Sequence, residues 1–191
     1  MRTEIKIGGY GGQGVILSGY IIGRAATIFD TKYATMMQAF GPEARGSACS
    51  AQIVVSAEPI TYPVVTSPDV MILMSQEAFT RFSPELAPNG LLLTDASLVQ
   101  PRNLRPDVTH LAIPATRIAE ELGKRMVLNI VMMGFLSSTS SVTSPEAMRK
   151  AVAASVPKGT EEVNLRAYDK GWEFGREIGA TLRPNQHAHA R

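Results

Sequence analysis

A glycine-rich turn near the start of the chain has the residue types and spacing to hold an anion. The stretch IGGYGGQGV (7–15) places Gly9-x-Gly11-x-x-Gly14 between a strand-like segment and an apolar helix-like segment. In a strand–turn–helix unit of this kind, backbone N–H groups at the start of the helix can point toward a phosphate. Nucleotide binding is therefore the first hypothesis that the sequence raises.

The second half of the dinucleotide-binding fingerprint is missing. That fingerprint needs an acidic residue at the end of the second strand, where the carboxylate holds a ribose. Asp30 has a suitable spacing, but it precedes the predicted second strand, which ends at Gln38. The turn also lacks the Lys-Ser/Thr pair of a P-loop. A tight turn that lets backbone or a partner approach closely explains the glycines equally well. A free-standing NAD(P)- or FAD-binding protein stays open as an alternative.

A second unusual stretch, FGPEARGS (40–47), follows the predicted second strand. It lies at the carboxyl edge of the predicted sheet, where ligands bind in doubly wound folds and where the first turn also emerges. Gly41-Pro42 and Gly46 predict a shaped turn. Arg45 carries a guanidinium that can clamp a phosphate or carboxylate, and Glu43 lies two residues before it. By itself, the stretch is better explained as a surface turn with an ordinary ion pair.

Composition narrows the chemistry available to this chain. With 191 residues, 45% of them hydrophobic, it can bury the core of one α/β domain. A net charge of +2 without a basic run gives no indication of a nucleic-acid partner. The single cysteine, Cys49, excludes an intrachain disulfide, an iron–sulfur cluster or a cysteine zinc site. Two histidines in the last nine residues lack a third ligand, so no metal site and no catalytic residue is predicted.

Hydrophobic periodicity predicts strands alternating with helices. The predicted strands cover 4–7, 33–38, 50–56, 70–74, 90–94 and 108–113. The predicted helices cover 15–29, 76–82, 115–122, 127–137, 145–156 and 161–182. This alternation predicts a doubly wound α/β fold, with a mostly parallel sheet, helices on both faces and a helical C-terminal part. We expect a single domain over 3–182 and a mobile tail over 183–191. No apolar run approaches the ~18 residues of a membrane helix, which favours a cytoplasmic protein.

Taken together, the two glycine-containing stretches are more specific than either alone. GGYGGQGV (8–15) followed by FGPEARG (40–46) resembles the γ subunit of the 2-oxoacid:ferredoxin oxidoreductases. The resemblance continues through PNGLLLTDASLV (88–99), NIVMMGFLSS (129–138) and EEVNLRAYDKGWEFG (161–175), and it covers roughly 5–175. Ser47 departs from it, since a further glycine is common there. GPEARGS and MSQEAF (74–79) look closer to the 2-oxoglutarate type than to the pyruvate type.

The resemblance implies a subunit of a thiamine-diphosphate enzyme. These enzymes convert a 2-oxo acid and coenzyme A into acyl-CoA, CO2 and two electrons, which pass to ferredoxin or NAD. It implies α and β subunits that hold thiamine diphosphate and Mg2+, a ferredoxin-like δ subunit with [4Fe-4S] clusters, and in some cases FAD on another subunit. The substrate is expected to be 2-oxoglutarate or an aryl 2-oxo acid such as phenylglyoxylate. This chain, which lacks a Gly-Asp-Gly triplet, is expected to be non-catalytic.

Under this resemblance, the two stretches become candidate cofactor-binding or subunit-interface sites. In the first, we expect the glycines to permit close approach by a partner or by coenzyme A, with Gln13 bonding at that contact. The candidates there are Gly9, Gly11, Gly12, Gln13 and Gly14. In the second, we expect Arg45 to face a coenzyme A phosphate or a partner carboxylate, and Glu43 to pair with a partner base. Asn129 opens an apolar helix and needs hydrogen bonds inside the fold.

Overall fold

The computed structural model describes residues 2–39 and 48–182, apart from the side chains of 180–182. Six strands are present in this part of the chain: β1 (Arg2–Tyr10), β2 (Tyr33–Ala39), β3 (Ala48–Ser56), β4 (Val70–Leu73), β5 (Leu91–Asp95) and β6 (Thr109–Ile113). The α-helices are α1 (Val15–Arg24), α2 (Gln76–Phe82), α3 (Ala115–Glu121), α4 (Leu128–Thr139), α5 (Pro145–Ser155) and α6 (Glu161–Leu182). The predicted tail 183–191 lies outside the described residues.

The strands form one sheet in the order β2-β3-β1-β4-β5-β6. β1, β4, β5 and β6 are parallel, whereas β3 runs antiparallel to both of its neighbours. The sheet is therefore mostly parallel, as predicted. β1 is longer than its predicted 4–7 core because Gly8 and Gly9 continue the ladder opposite Ser50 and Cys49. The carboxyl ends of β1 and β2 lie at the same edge, since Ala39 and Gly8 are both opposite Ser50.

Helices cover both faces of the sheet, as predicted, but unequally. The larger core lies between one face and the helices α1, α3, α4, α5 and α6. The smaller core lies on the other face, where Phe79 and Phe82 of α2 pack over Met71 and Leu73 of β4. No helix in the described ranges is long and apolar enough to cross a membrane.

Helix α4 is the centre of the larger core. Its residues from Leu128 to Ser137 are all buried, which confirms the interpretation of its continuous apolar run as a buried helix. It crosses α6 at a very short distance, because glycines stand at the contact on both helices. A Cβ on Gly134 would overlap the carbonyl oxygen of Tyr168, and a Cβ on Gly171 would overlap that of Val131. The position of α4 is therefore set by backbone-to-backbone contact.

We expect Gly171→Ala to destabilise the protein by about 1–3 kcal/mol, because the new methyl group must push α4 away from α6. Gly179→Ala is the matched control in the same helix, since no atom of the described residues lies within 4 Å of its added Cβ. The control should be neutral or gain up to about 1 kcal/mol from helix propensity. Urea unfolding of both variants measures the difference. Equal midpoints would contradict the close crossing.

Candidate functional site

The glycine-rich turn joins β1 to α1 through a β-turn. The N–H of Gln13 donates to the carbonyl of Tyr10 at 3.1 Å, which closes the turn around Gly11 and Gly12. Gly12 has φ 94°, a left-handed conformation that favours glycine. Gly14 is the N-cap of α1 with φ 73° and ψ 23°. Two of the four motif glycines are thus required by the local backbone.

The side chain of Gln13 bridges the two central strands of the sheet. Its Oε1 accepts from the N–H of Tyr10 at 2.7 Å, and its Nε2 donates to the carbonyl of Met74 at 2.8 Å. Tyr10 ends β1, and Met74 directly follows β4, the parallel neighbour of β1. This is the switch point of the sheet, where α/β folds usually bind a ligand. Here the chain's own carboxamide spans that position.

The four motif glycines have different surroundings. A Cβ on Gly9 would lie 2.6 Å from Oε1 of Gln13, so this glycine makes room for the bridge. A Cβ on Gly14 would lie 2.6 Å from Cγ of Asn129, which comes from α4. Among the residues that the structure describes, no atom lies within 4 Å of the same position at Gly11 and Gly12, and both are exposed. Of the four motif glycines, these two have free space on the outside of the turn as far as the described residues are concerned.

Asn129 connects the turn to the buried helix α4. Its side chain is 2% exposed, and its Nδ2 donates to the carbonyl of Gly14 over a long 3.4 Å. The requirement for an internal hydrogen bond is therefore met by the glycine-rich turn itself. Met126, just before α4, is 82% exposed. The sequence does not single out this side chain, because Met126 directly precedes the apolar run of the predicted helix 127–137.

Asp30 does not occupy a ribose-binding position. It lies before β2, as predicted, and both of its carboxylate oxygens bond to Ser144. The N–H of Ser144 donates to Oδ2 at 2.6 Å, and its hydroxyl donates to Oδ1 at 2.7 Å. The Ser144 hydroxyl in turn accepts from the N–H of Ala147 and so caps α5, a role that a serine followed by a proline at the first helical position predicts. The carboxylate is thus engaged in holding α5 against the chain segment before β2.

The second stretch lies outside the described residues, and with it the candidates Gly41, Pro42, Glu43, Arg45 and Gly46. The residues on either side of it are described. Ala39 ends β2 opposite Ser50, and Ala48 begins β3 opposite Tyr10. The N–H of Ala48 donates to Oε1 of Glu77 in α2 at 3.2 Å. Both ends of the stretch therefore lie at the sheet edge that carries the glycine-rich turn.

Cys49 is close to this edge but is not an activated thiol. It is half-buried, and its Sγ donates to the carbonyl of Gly9 at 3.4 Å. Burial raises the pKa of the Cys49 thiol above its ordinary value. A thiolate is the reactive form and the metal-binding form of cysteine, and this environment disfavours it.

The described residues form an α/β module whose switch point is bridged by the side chain of Gln13. The chain belongs to the pyruvate ferredoxin/flavodoxin oxidoreductase family, whose domain matches residues 4–174. It is 46% identical over 180 residues to the 2-oxoglutarate synthase subunit KorC of Methanocaldococcus jannaschii, covering 93% of this chain and 96% of that one. The resemblance to the γ subunits of 2-oxoacid:ferredoxin oxidoreductases is thereby confirmed.

The chain is also similar to part of a longer subunit and to the full length of a solved gamma subunit. It is 30% identical to the ketoisovalerate oxidoreductase subunit VorA of Methanothermobacter thermautotrophicus, covering 92% of this chain but 37% of VorA. The crystal structure of a keto/oxoacid ferredoxin oxidoreductase gamma subunit from Geobacter sulfurreducens matches with a TM-score of 0.83 and 35% identity, covering 94% of this chain and 98% of that one. The same module thus occurs both as a separate polypeptide and as part of a longer one.

We expect Gly14→Ala to destabilise the isolated chain by about 1–3 kcal/mol, since it combines a strained positive φ with an overlap on Asn129. Gly11→Ala, in the same turn, should change stability by less than about 1 kcal/mol because its φ is not positive and its surroundings are empty. Thermal unfolding compares the two variants. Similar losses of stability would show that the glycines do not differ as described.

Proposed function

We propose that this chain is the γ subunit of a multi-subunit 2-oxoacid oxidoreductase. The complex decarboxylates a 2-oxo acid oxidatively with coenzyme A and yields acyl-CoA, CO2 and two electrons. Its partners are α and β subunits that hold thiamine diphosphate and Mg2+, and a ferredoxin-like δ subunit with [4Fe-4S] clusters. The near full-length similarity to a 2-oxoglutarate synthase subunit supports this proposal.

The residues of this chain do not fit the cofactors of such a complex. The sequence has no Gly-Asp-Gly triplet and one cysteine, whose thiol is half-buried and bonded to backbone. Within 2–39 and 48–182, no group of three His, Cys, Asp or Glu side chains is arranged to hold a metal ion. We therefore assign thiamine diphosphate and the iron–sulfur clusters to other subunits, and we assign no catalytic residue to this chain.

The contribution that we assign to this chain is a docking rim at the carboxyl edge of the sheet. The observation that carries this assignment is the contrast within the glycine-rich turn. Gln13 fills the switch point from inside, while Gly11 and Gly12 present bare backbone outward. A surface without side chains lets a partner backbone or a coenzyme A group approach closely. In this proposal the rim completes the assembly and covers the reaction cleft on the coenzyme A side.

For the substrate, we propose 2-oxoglutarate. The relatives with the higher identities are 2-oxoglutarate synthase subunits, whereas the ketoisovalerate oxidoreductase subunit is more distant. This ranking supports 2-oxoglutarate, and an aryl 2-oxo acid such as phenylglyoxylate stays the alternative prediction. Delivery of the electrons to ferredoxin is supported by the description of the family and by that of the Geobacter sulfurreducens gamma subunit, and delivery to NAD through FAD on an added subunit stays a prediction. The alternative of a free-standing NAD(P)- or FAD-binding protein is disfavoured by the positions of Gln13 and Asp30.

We expect Gly11→Leu to weaken assembly with the partner subunits by tenfold or more, about 1.4 kcal/mol, because the side chain occupies the space of the partner. Ala57→Leu is the matched control, because Ala57 is also exposed. It follows β3 at the other end of the strands, where β1 begins. Pull-down of the reconstituted complex at graded concentrations measures both. Gly11→Leu with wild-type assembly and wild-type thermal stability would contradict the docking rim.

We expect Arg45→Ala to weaken assembly or to raise the coenzyme A concentration needed for half-maximal activity. The reason is the loss of a charged hydrogen-bond donor toward a phosphate or carboxylate. Arg45→Lys keeps the charge but not the bidentate geometry, so it separates the loss of charge from the loss of the two-pronged hydrogen bond. Steady-state kinetics and gel filtration of the complex provide the two measurements. If both quantities stayed at their wild-type values, the role assigned to Arg45 would be wrong.

A further inference from the structure

Strand β2 forms one edge of the sheet. Its seven residues, Tyr33–Ala39, pair on one side with β3 in an unbroken antiparallel ladder. No strand in the ranges 2–39 and 48–182 pairs with its other side. About half of its backbone N–H and C=O groups therefore face outward along a regular, bulge-free edge about 24 Å long at ~3.4 Å per residue. Such an edge is a template for another strand.

The usual protections of an edge strand are absent from β2. Exposed edges commonly carry lysines, prolines or bulges that prevent pairing with a second chain. The strand YATMMQA contains no charged residue and no proline. Two of its large side chains are instead exposed, Tyr33 at 48% and Met37 at 45%. The composition is that of a strand whose outer side is covered.

A groove runs beside this edge, between β2 and α1. It has a volume of about 360 Å3 and its lining includes Gly19, Tyr20, Gly23, Ile28 and Met36. One charged side chain, Arg24, also lines it, and its guanidinium donates to the carbonyl of Ala154 at 2.7 Å. No described atom lies within 4 Å of a Cβ added to Gly23, so the middle of α1 offers open space. Tyr20 is 55% exposed and Ile28 64%. Ile28 belongs to a π-helical turn, Ala25–Phe29, that extends α1. Turns of this type are frequent at functional sites.

We propose that β2 pairs antiparallel with β2 of a second copy of this chain across a two-fold axis. The two sheets then join into one of twelve strands, six from each copy. An axis perpendicular to the sheet keeps α1 of both copies on the same face, so that the two α1 helices meet over the seam. The exposed Tyr20 and Ile28 of one copy enter the groove beside Gly23 of the other.

A second copy fits these observations better than an unrelated peptide strand. Two identical edges related by a two-fold axis are antiparallel, and they are self-complementary by symmetry. Because β2 has no charged residue, no register brings like charges together. A lone peptide strand would satisfy the backbone edge but leave the groove beside α1 open, whereas a second copy also brings its own α1. The inference does not depend on the proposed function.

The mass of the full chain in solution, measured by light scattering after gel filtration, tests the proposal. We expect twice the chain mass of 20.6 kDa. Met37→Lys places a charge on the seam and should raise the dimer dissociation constant by roughly tenfold or more. Met126→Lys is the matched control, since Met126 is 82% exposed but lies outside β2 and α1. This control should leave the dimer unchanged.

Three results would overturn the proposal. The first is a monomer mass at every concentration up to about 100 µM, which includes the case of a monomer that uses β2 to bind a different subunit. The second is a dimer that Met37→Lys does not weaken although the variant has wild-type thermal stability. The third is an open series of larger species, because a two-fold contact closes at two copies.

Discussion

One side chain, the carboxamide of Gln13, ties together the carboxyl ends of the two central strands. Its oxygen accepts a hydrogen bond from the N–H of Tyr10, and its nitrogen donates one to the carbonyl of Met74. The sheet leaves these two backbone groups free at the point where β1 and β4 separate. The same bridge lies at the switch point of the sheet, where folds of this type usually bind a ligand. The outward presentation of Gly11 and Gly12 depends on this bridge, since it fixes both ends of their turn.

The turn is also held from behind by the buried helix α4. The side chain of Asn129 packs against Gly14 and donates to its carbonyl. Further along α4, Gly134 contacts the backbone of α6, and this close contact fixes the position of α4. The glycine-rich turn, α4 and α6 therefore form one continuous chain of close contacts. Rigid support of this kind suits a surface that must match a partner, because less conformational entropy is lost on binding.

Much of the fold was predictable because its signals are local. The apolar run after Met126 predicted the buried α4, and Ser144 with Pro145 predicted the start of α5. The antiparallel direction of β3 cannot be predicted from the residues of β3, because they fit a parallel and an antiparallel strand equally well. It follows from the connection, since the eight residues 40–47 are fewer than a parallel crossover requires. The π-helical turn at Ala25–Phe29 has no recognisable signal in the sequence.

The site was predictable as a location but not in its internal roles. The sequence shows the same residue type, glycine, at positions 9, 11, 12 and 14. The structure shows that glycine is needed at these positions for different physical reasons. Gly9 makes room for Gln13, Gly14 for Asn129, and Gly12 adopts a positive φ. The reasons for Gly9 and Gly14 depend on the backbone carbonyl of Met74, just after β4, and on the side chain of Asn129 in α4, both more than sixty residues away along the chain. No spacing rule within the motif contains that information.

Isolation of the native protein under mild conditions tests the central claim most directly. The chains that co-purify with it would be identified by mass spectrometry, and bound iron, thiamine diphosphate and pyridine nucleotide would be quantified. The account predicts a large complex with thiamine-diphosphate-binding and cysteine-rich partner chains, in which the amides of residues 10–13 exchange more slowly than in the isolated chain. A solitary chain with a pyridine nucleotide bound at Gly11 and Gly12 would contradict it.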